Sequence, residues 1–164
     1  MLVDPETGRL RAVSDRALLA HREQSDAAQE ASDGDFGAEA GLEQELFLQQ
    51  IETGTAPFDD VEDVVRDVRR CRAAAAASAE AVGAELVAVG TPVLGGEDRE
   101  VTPKDRYRRI VEQFGEIGRQ GAVCGMHVHV DVADDDEGVR VIDGLRPWLP
   151  VLRAMSVNSQ IGRA

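Results

Sequence analysis

The segment from Asp59 to Gly83 constrains the fold of this 164-residue chain more than any other. Asp59 and Asp60 follow Pro57 and supply the acidic start that a helix N-terminus favours. Val61, Val64, Val65 and Val68 then recur at helical spacing, and the pattern runs through Ala73–Ala77 to about Val82. Gly83 is the expected stop. A helix of this length must bury one face, and the neighbouring runs are of strand length. In GLEQELFLQQIETGT, from Gly41, an extended strand would set Leu46, Leu48, Gln50 and Glu52 on one face. Glu45, Phe47, Gln49, Ile51 and Thr53 would take the other. ELVAVGTPV, Glu85 to Val93, reads as a buried strand.

The remaining chain continues the alternation. Leu2–Val3 and the apolar residues after Gly8 flank an Asp4-Pro5-Glu6-Thr7-Gly8 turn and predict a hairpin. Ser14 is placed to cap a short helix from Asp15, and the polar residues 24–38 predict a loop. Thr102-Pro103 opens a helix to about Gln120. CGMHVHVDV predicts a strand, and the acidic turn Asp134–Glu137 begins a last helix that Pro147 and Pro150 should kink or break. The order strand, helix, strand, helix, strand, helix fits either a parallel α/β sheet or an α+β sheet with helices on one face. Neither a Rossmann nor a P-loop glycine fingerprint is present, since LGGEDREV lacks the lysine and the helix start.

Composition narrows the function. Thirty-one acidic against 18 basic residues give a net charge of -13, which argues against binding nucleic acid or anionic membranes. No apolar run approaches the roughly 20 residues that span a bilayer, and Met1–Pro5 turns polar at once, so a cytoplasmic location is expected. The two cysteines, Cys71 and Cys124, have no C-x-x-C spacing, which leaves a disulfide framework or a cysteine-rich zinc site without support.

The chemistry concentrates in two places. On a strand, His127, His129 and Asp131 would share one face, opposite Met126, Val128, Val130 and Val132. Imidazole and carboxylate are metal ligands; a half-exposed strand with a polar solvent face produces the same pattern. Glu52 follows Ile51 in a mostly apolar strand, where a charge calls for a cation or an arginine, while Glu43 and Glu45 at the strand entrance can simply be solvated. His21 reads as a surface residue, Tyr107 and Trp148 as packing residues. Cys124 and His127 fall on opposite faces of a regular strand, which argues against a nucleophile–base pair. A metal-dependent hydrolase built on H-x-H would need more His or Asp motifs than the chain supplies.

Three motifs in order are more specific than any one alone. E-x-E-L-F-x-x-Q-I-E-x-x-T (Glu43 to Thr55), C-G-x-H-V-H-V (Cys124 to Val130) and R-P-W-L-P-V-L-x-A-x-S-x-N-S (Arg146 to Ser159) together resemble the carboxylate–amine ligase (YbdK-like) branch of the glutamate–cysteine ligase family. The opening L-V-D-P-E-T-G-R-L resembles it too, and the likeness runs from Leu2 to about Ser159. It implies an α+β, glutamine-synthetase-like catalytic fold: a curved, mainly antiparallel sheet with helices on its outer face, formed here by a single incomplete domain over residues 1–164. It implies an ATP- and Mg2+-dependent ligase that joins glutamate to cysteine or another amine through an acyl phosphate. Glu52 and His127 match metal-binding positions, and His129 and Glu45 are neighbours expected to contact the nucleotide. The family's glutamate-rich first strand and its basic downstream residues have no counterpart, so the chain reads as truncated at both ends and weakly active or inactive alone. Exposed sheet edges would then favour a homo-oligomer. The alternative is a non-catalytic metal- or nucleotide-binding remnant, or an oligomerising module, of the same fold.

Overall fold

The computed structural model describes residues 1–30, 41–92, 94 and 99–155. The elements run β1 (Leu2–Val3), α1 (Ser14–Glu30), β2 (Gly41–Gln44), β3 (Ile51–Gly54), α2 (Val61–Glu80), β4 (Glu85–Leu86), α3 (Asp105–Phe114), α4 (Glu116–Gln120) and α5 (Asp135–Leu145). A 3-10 turn (Arg146–Trp148) and α6 (Leu149–Met155) follow. The chain divides into two compact units, Met1–Ala88 with Pro92–Ala122, and Val89–Thr91 with Val123–Ala164.

The first unit is organised by α2. The Asp60 carboxylate accepts the Glu62 N–H at 2.6 Å, and Glu62 and Asp63 place further negative charge at the positive end of the helix dipole. Cys71, Ala75, Ser78 and Ala79 are buried along one side, so the alanine run gives a smooth surface with little side-chain entropy to lose. Gly83, at φ 69°, turns the chain, and the Ala84 N–H closes on the Ala79 carbonyl at 3.0 Å. Ala79 and Ala84 join Leu2 and Val13 in the core, against which Ile51, Val82 and Leu86 pack.

Among the described residues of this unit there are two antiparallel sheets. β1 pairs with β4 in the register Leu2↔Leu86 and Val3↔Glu85, and β2 pairs with β3 from Gly41↔Gly54 to Gln44↔Ile51. Together with the helices they make the architecture α+β, and both ladders are antiparallel. The hairpin expected at the start is present: Val3 bridges Leu10, and Asp4 holds its turn by accepting from the Glu6 and Thr7 N–H groups.

Several expected boundaries move. The single strand from Gly41 is instead the β2–β3 hairpin, because residues 45–50 spend their backbone groups elsewhere. Gln49 O accepts from Leu2 N at 2.8 Å, Leu48 O from Ser14 N at 2.9 Å, and Leu46 O from Thr102 N at 2.9 Å. Phe47, fully buried, bridges Val101. The faces read for residues 45–53 on one strand therefore do not hold. The run 85–93 keeps only Glu85–Leu86 in a ladder, and residue 93 lies outside the described residues. α1 reaches Glu30, so the expected loop overlaps a helix over 24–30, and 31–38 lie outside the described residues. Ser14 does not cap it by its hydroxyl, which is buried without a hydrogen-bond partner among the described residues; the helix start is tied instead through the Ser14 N–H. Gly115, at φ 56°, divides the helix expected over 103–120 into α3 and α4.

In the second unit α5 starts at the acidic turn as expected. The Asp134 carboxylate accepts the Glu137 N–H at 2.8 Å, while the Glu137 carboxylate accepts the Ala133 N–H at 2.6 Å, a reciprocal arrangement that satisfies two free amides. The helix gives way to the 3-10 turn where Pro147 cannot continue it. Trp148, expected to pack, is 62% exposed. Residues 156–159, the end of the R-P-W motif, lie outside the described residues.

Candidate functional site

The β2–β3 register sets Glu43 directly opposite Glu52. Cross-strand partners project from the same side of a ladder, with Cβ atoms about 4.5–5.5 Å apart, so the hairpin presents two carboxylates on one exposed face. Glu45 follows at the end of β2, its carbonyl accepting the Thr102 hydroxyl at 2.6 Å. Next to them lies Tyr107 of α3, a buried side chain whose hydroxyl donates to the Gln44 carbonyl at 2.9 Å. Burial pushes the Tyr107 phenol above its ordinary value, and the charges of Glu45, Glu52 and Glu43 add to the rise. Tyr107 thus packs, as expected, and also anchors the strand that carries Glu43. The Lys104 ammonium lies 5.6 Å from its ring centroid, a cation–π distance.

The far side of β3 is fastened by α2. Asp67, 8% exposed, accepts the Ala56 N–H at 3.2 Å and the Arg70 Nε–H at 2.6 Å. That ion pair, followed by the Ala56 hydrogen bond, holds the Asp67 carboxyl below the usual aspartate value. Cys71 Sγ donates to the Gly54 carbonyl at 3.5 Å; burial, then the Asp67 charge, pushes its thiol up. Asp67 escaped the sequence reading, although its position showed it: 67 falls in the 64–71–75 stripe that a helix turns toward its core.

In the second unit, Gly125–Asp131 has no strand assignment, which corrects the strand expected for CGMHVHVDV: with no ladder partner among the described residues, the segment is open on both sides. Met126, Val128 and Val130 are each more than 70% exposed. The local alternation survives, since the His127 and His129 rings lie 6.1 Å apart, as side chains two residues apart on an extended chain do. Both rings are exposed. The Cys124 N–H donates to Gly90 O at 2.9 Å, which fixes the entry to the segment. His21, in α1, is half-buried rather than on the surface.

The structure therefore places Glu45 and Glu52 on the β2–β3 hairpin of the first unit, Glu52 opposite Glu43, and sets His127 and His129 near each other in the second. Among the described residues no three His, Cys, Asp or Glu side chains are gathered to hold a metal ion. Exposed carboxylates are nonetheless the oxygen donors that magnesium takes, usually one or two of them with water and phosphate completing the shell; Glu43 and Glu52 fit that requirement. No helix among the described residues is long and apolar enough to cross a membrane.

The family model described as "Glutamate-cysteine ligase family 2 (GCS2)" matches residues 3–161. A Nocardioides sp. protein named "Putative glutamate--cysteine ligase 2-1" is 42% identical over 159 residues, 97% of this chain and 41% of that protein. A Streptomyces avermitilis protein of the same name is 40% identical over 159 residues, again 97% of this chain and 41% of its own length. The chain thus spans about two fifths of the length of these relatives. No solved structure matches it.

Proposed function

Because this chain belongs to glutamate–cysteine ligase family 2, we propose that residues 1–164 form part of one catalytic domain of an ATP- and magnesium-dependent carboxylate–amine ligase. The fold proposed for the whole domain is glutamine-synthetase-like, its β2–β3 hairpin belonging to a curved antiparallel sheet. The substrates are glutamate and cysteine or another amine, joined as a γ-glutamyl amide by way of an acyl phosphate, in the cytoplasm. The names of the relatives support this reading.

In the first unit Glu52 would be a magnesium ligand, with Glu45 a contact to the nucleotide; in the second unit His127 would be a metal ligand, with His129 a contact to the nucleotide. When bound, magnesium and ATP supply a charge-neutralised triphosphate and a transferable phosphoryl group. The chain's own part is to bind and orient. Glu43 and Glu52 offer paired oxygen donors on a hairpin whose exit Asp67 fixes, and the imidazoles of His127 and His129 offer nitrogen ligands or hydrogen bonds to phosphate.

The observation that carries this reading is the Glu43↔Glu52 register. Two carboxylates directly opposite each other on one exposed face are oxygen donors that one divalent cation can take together. Calorimetry of Mg-ATP with the 164-residue chain tests it. Binding is expected, and Glu52→Ala and His127→Ala should each weaken it at least about tenfold; wild-type affinity in both variants would refute the ligand assignment. Turnover with ATP, glutamate and cysteine is expected to be weak or absent for this chain alone.

A further inference from the structure

We infer that Thr102 and Tyr107 are positioning residues for the carboxylates of the β2–β3 hairpin: with their hydroxyls they hold the Glu45 and Gln44 carbonyls and so set where Glu43 and Glu45 stand relative to Glu52. The ladder ends at Gln44↔Ile51, so the strand pairing stops one residue short of Glu45. Two hydroxyls from residues 102–107 take over. Tyr107 donates to the Gln44 carbonyl at 2.9 Å, and Thr102 to the Glu45 carbonyl at 2.6 Å. The backbone adds two ties over the next residues, from Thr102 N–H to Leu46 O at 2.9 Å and from Leu48 N–H to Glu100 O at 2.8 Å. All of these groups lie in the first unit.

Packing alone does not call for these side chains. Thr102 is fully buried, and Tyr107 is the buried residue of α3; valine and phenylalanine would fill much the same space with no polar atom to satisfy. What the hydroxyls add is direction, since a hydrogen bond has a preferred line and a van der Waals contact has none. Both act on the peptide groups between Glu43 and Leu46. Ligand direction in turn decides how well two carboxylates share one ion, and the partners that orient metal ligands are commonly worth about ten- to hundredfold in affinity. These roles rest on the reading of Glu43 and Glu52 as magnesium donors and go beyond it, since they give neither Thr102 nor Tyr107 a place on the ion.

Calorimetry of Mg-ATP with the full 164-residue chain tests it. Thr102→Val and Tyr107→Phe should each weaken binding at least about tenfold, and Thr102→Ser, which returns the hydroxyl, should recover most of the loss. Because coupling is reciprocal, saturating Mg-ATP should slow amide exchange at Thr102 and Leu48 of the parent chain, by about tenfold more than at Ala84, whose N–H closes the end of α2 instead. That measurement needs no variant, so it decides the matter even where a substitution unfolds the chain. Parent affinity in either hydroxyl-free variant would overturn the inference, as would a Thr102→Ser chain that binds as weakly as Thr102→Val, or exchange at Thr102 and Leu48 slowed no more than at Ala84. In each of those cases a weakened Glu52→Ala leaves the ligand reading in place. Mg-ATP binding that is absent from the parent, or indifferent to Glu52→Ala, fails that reading itself and takes the inference with it.

Discussion

The Asp67 carboxylate accepts the backbone N–H of Ala56, 3.2 Å away, and thereby pins the exit of β3 to the middle of α2. Its other oxygen takes the Arg70 guanidinium. Asp67→Ala leaves the half-buried Ala56 amide without this acceptor and the Arg70 guanidinium without its partner, and a loss of about 1–2 kcal/mol in unfolding free energy is expected, measured by urea denaturation. Because the folded value of Asp67 is lowered, its contribution is complete above the ordinary aspartate value, about 3.9. It fades as pH falls below that point and is gone once pH has passed through the folded value. The parent chain should lose stability on acidification below about pH 4 more steeply than Asp67→Ala.

Glu43→Gln removes one of the two charges that face each other across the hairpin. In metal-free, low-salt buffer the variant should melt slightly higher than the parent, by an amount equivalent to at most about 1 kcal/mol. Added salt should shrink the difference. With saturating magnesium the order should reverse, since only the parent keeps both oxygen donors. A thermal shift series with and without magnesium reads both arms.

The chain holds one tyrosine, so ultraviolet absorbance follows Tyr107 without interference from another phenol. Its midpoint should lie above the ordinary value of about 10, in keeping with its burial and with Glu45, Glu52 and Glu43 nearby. Glu45→Gln should bring it down. The same raised value means that stability is full below about pH 10 and drops as pH rises toward and through the folded value, because the unfolded chain ionises first.

The two cysteines should separate in a thiol-labelling experiment. Cys71 is 1% exposed with a thiol pushed up by burial, and the thiolate is the reacting form. Cys124 is only partly covered. One equivalent of reagent should react quickly with the native chain, and Cys71 should react only as the first unit opens in denaturant.

Leu2→Ala tests the core. Leu2 is fully buried against Val13, Ala79 and Ala84, and a loss of about 2–5 kcal/mol is expected by chemical denaturation.

The elements with a local physical cause were the ones legible in the sequence. α2 lay between an acidic start and Gly83, and α5 began at its own Asp134–Glu137 cap, because capping and helical period are properties of neighbouring residues. The segment 45–50 was misread as strand because its backbone partners, Leu2, Ser14 and Thr102, lie far away in the chain, and nothing in an alternating pattern reports them. Of the proposed site, the sequence offers residue types alone: Glu45, Glu52, His127 and His129 stand out as candidates. The pairing of Glu43 with Glu52 is not legible there, since it depends on where the hairpin turns. Asp67 was hidden for a different reason, as an acid among many in a chain of 31 carboxylates, and only its place on the buried stripe set it apart.

The pairing of Leu2 with Leu86 also has a consequence for how the chain assembles on the ribosome. β1 leaves the exit tunnel before α2, yet its ladder partner is made only after the whole of α2, and closure of so long a loop is slow. During that interval the face of α2 that carries Cys71, Ala75 and Ala79 has formed its helix without the strand that closes its core. The nascent chain is therefore most vulnerable to chaperone capture or aggregation between the emergence of α2 and that of β4, and slowing translation just after Leu86 should raise the yield of folded protein.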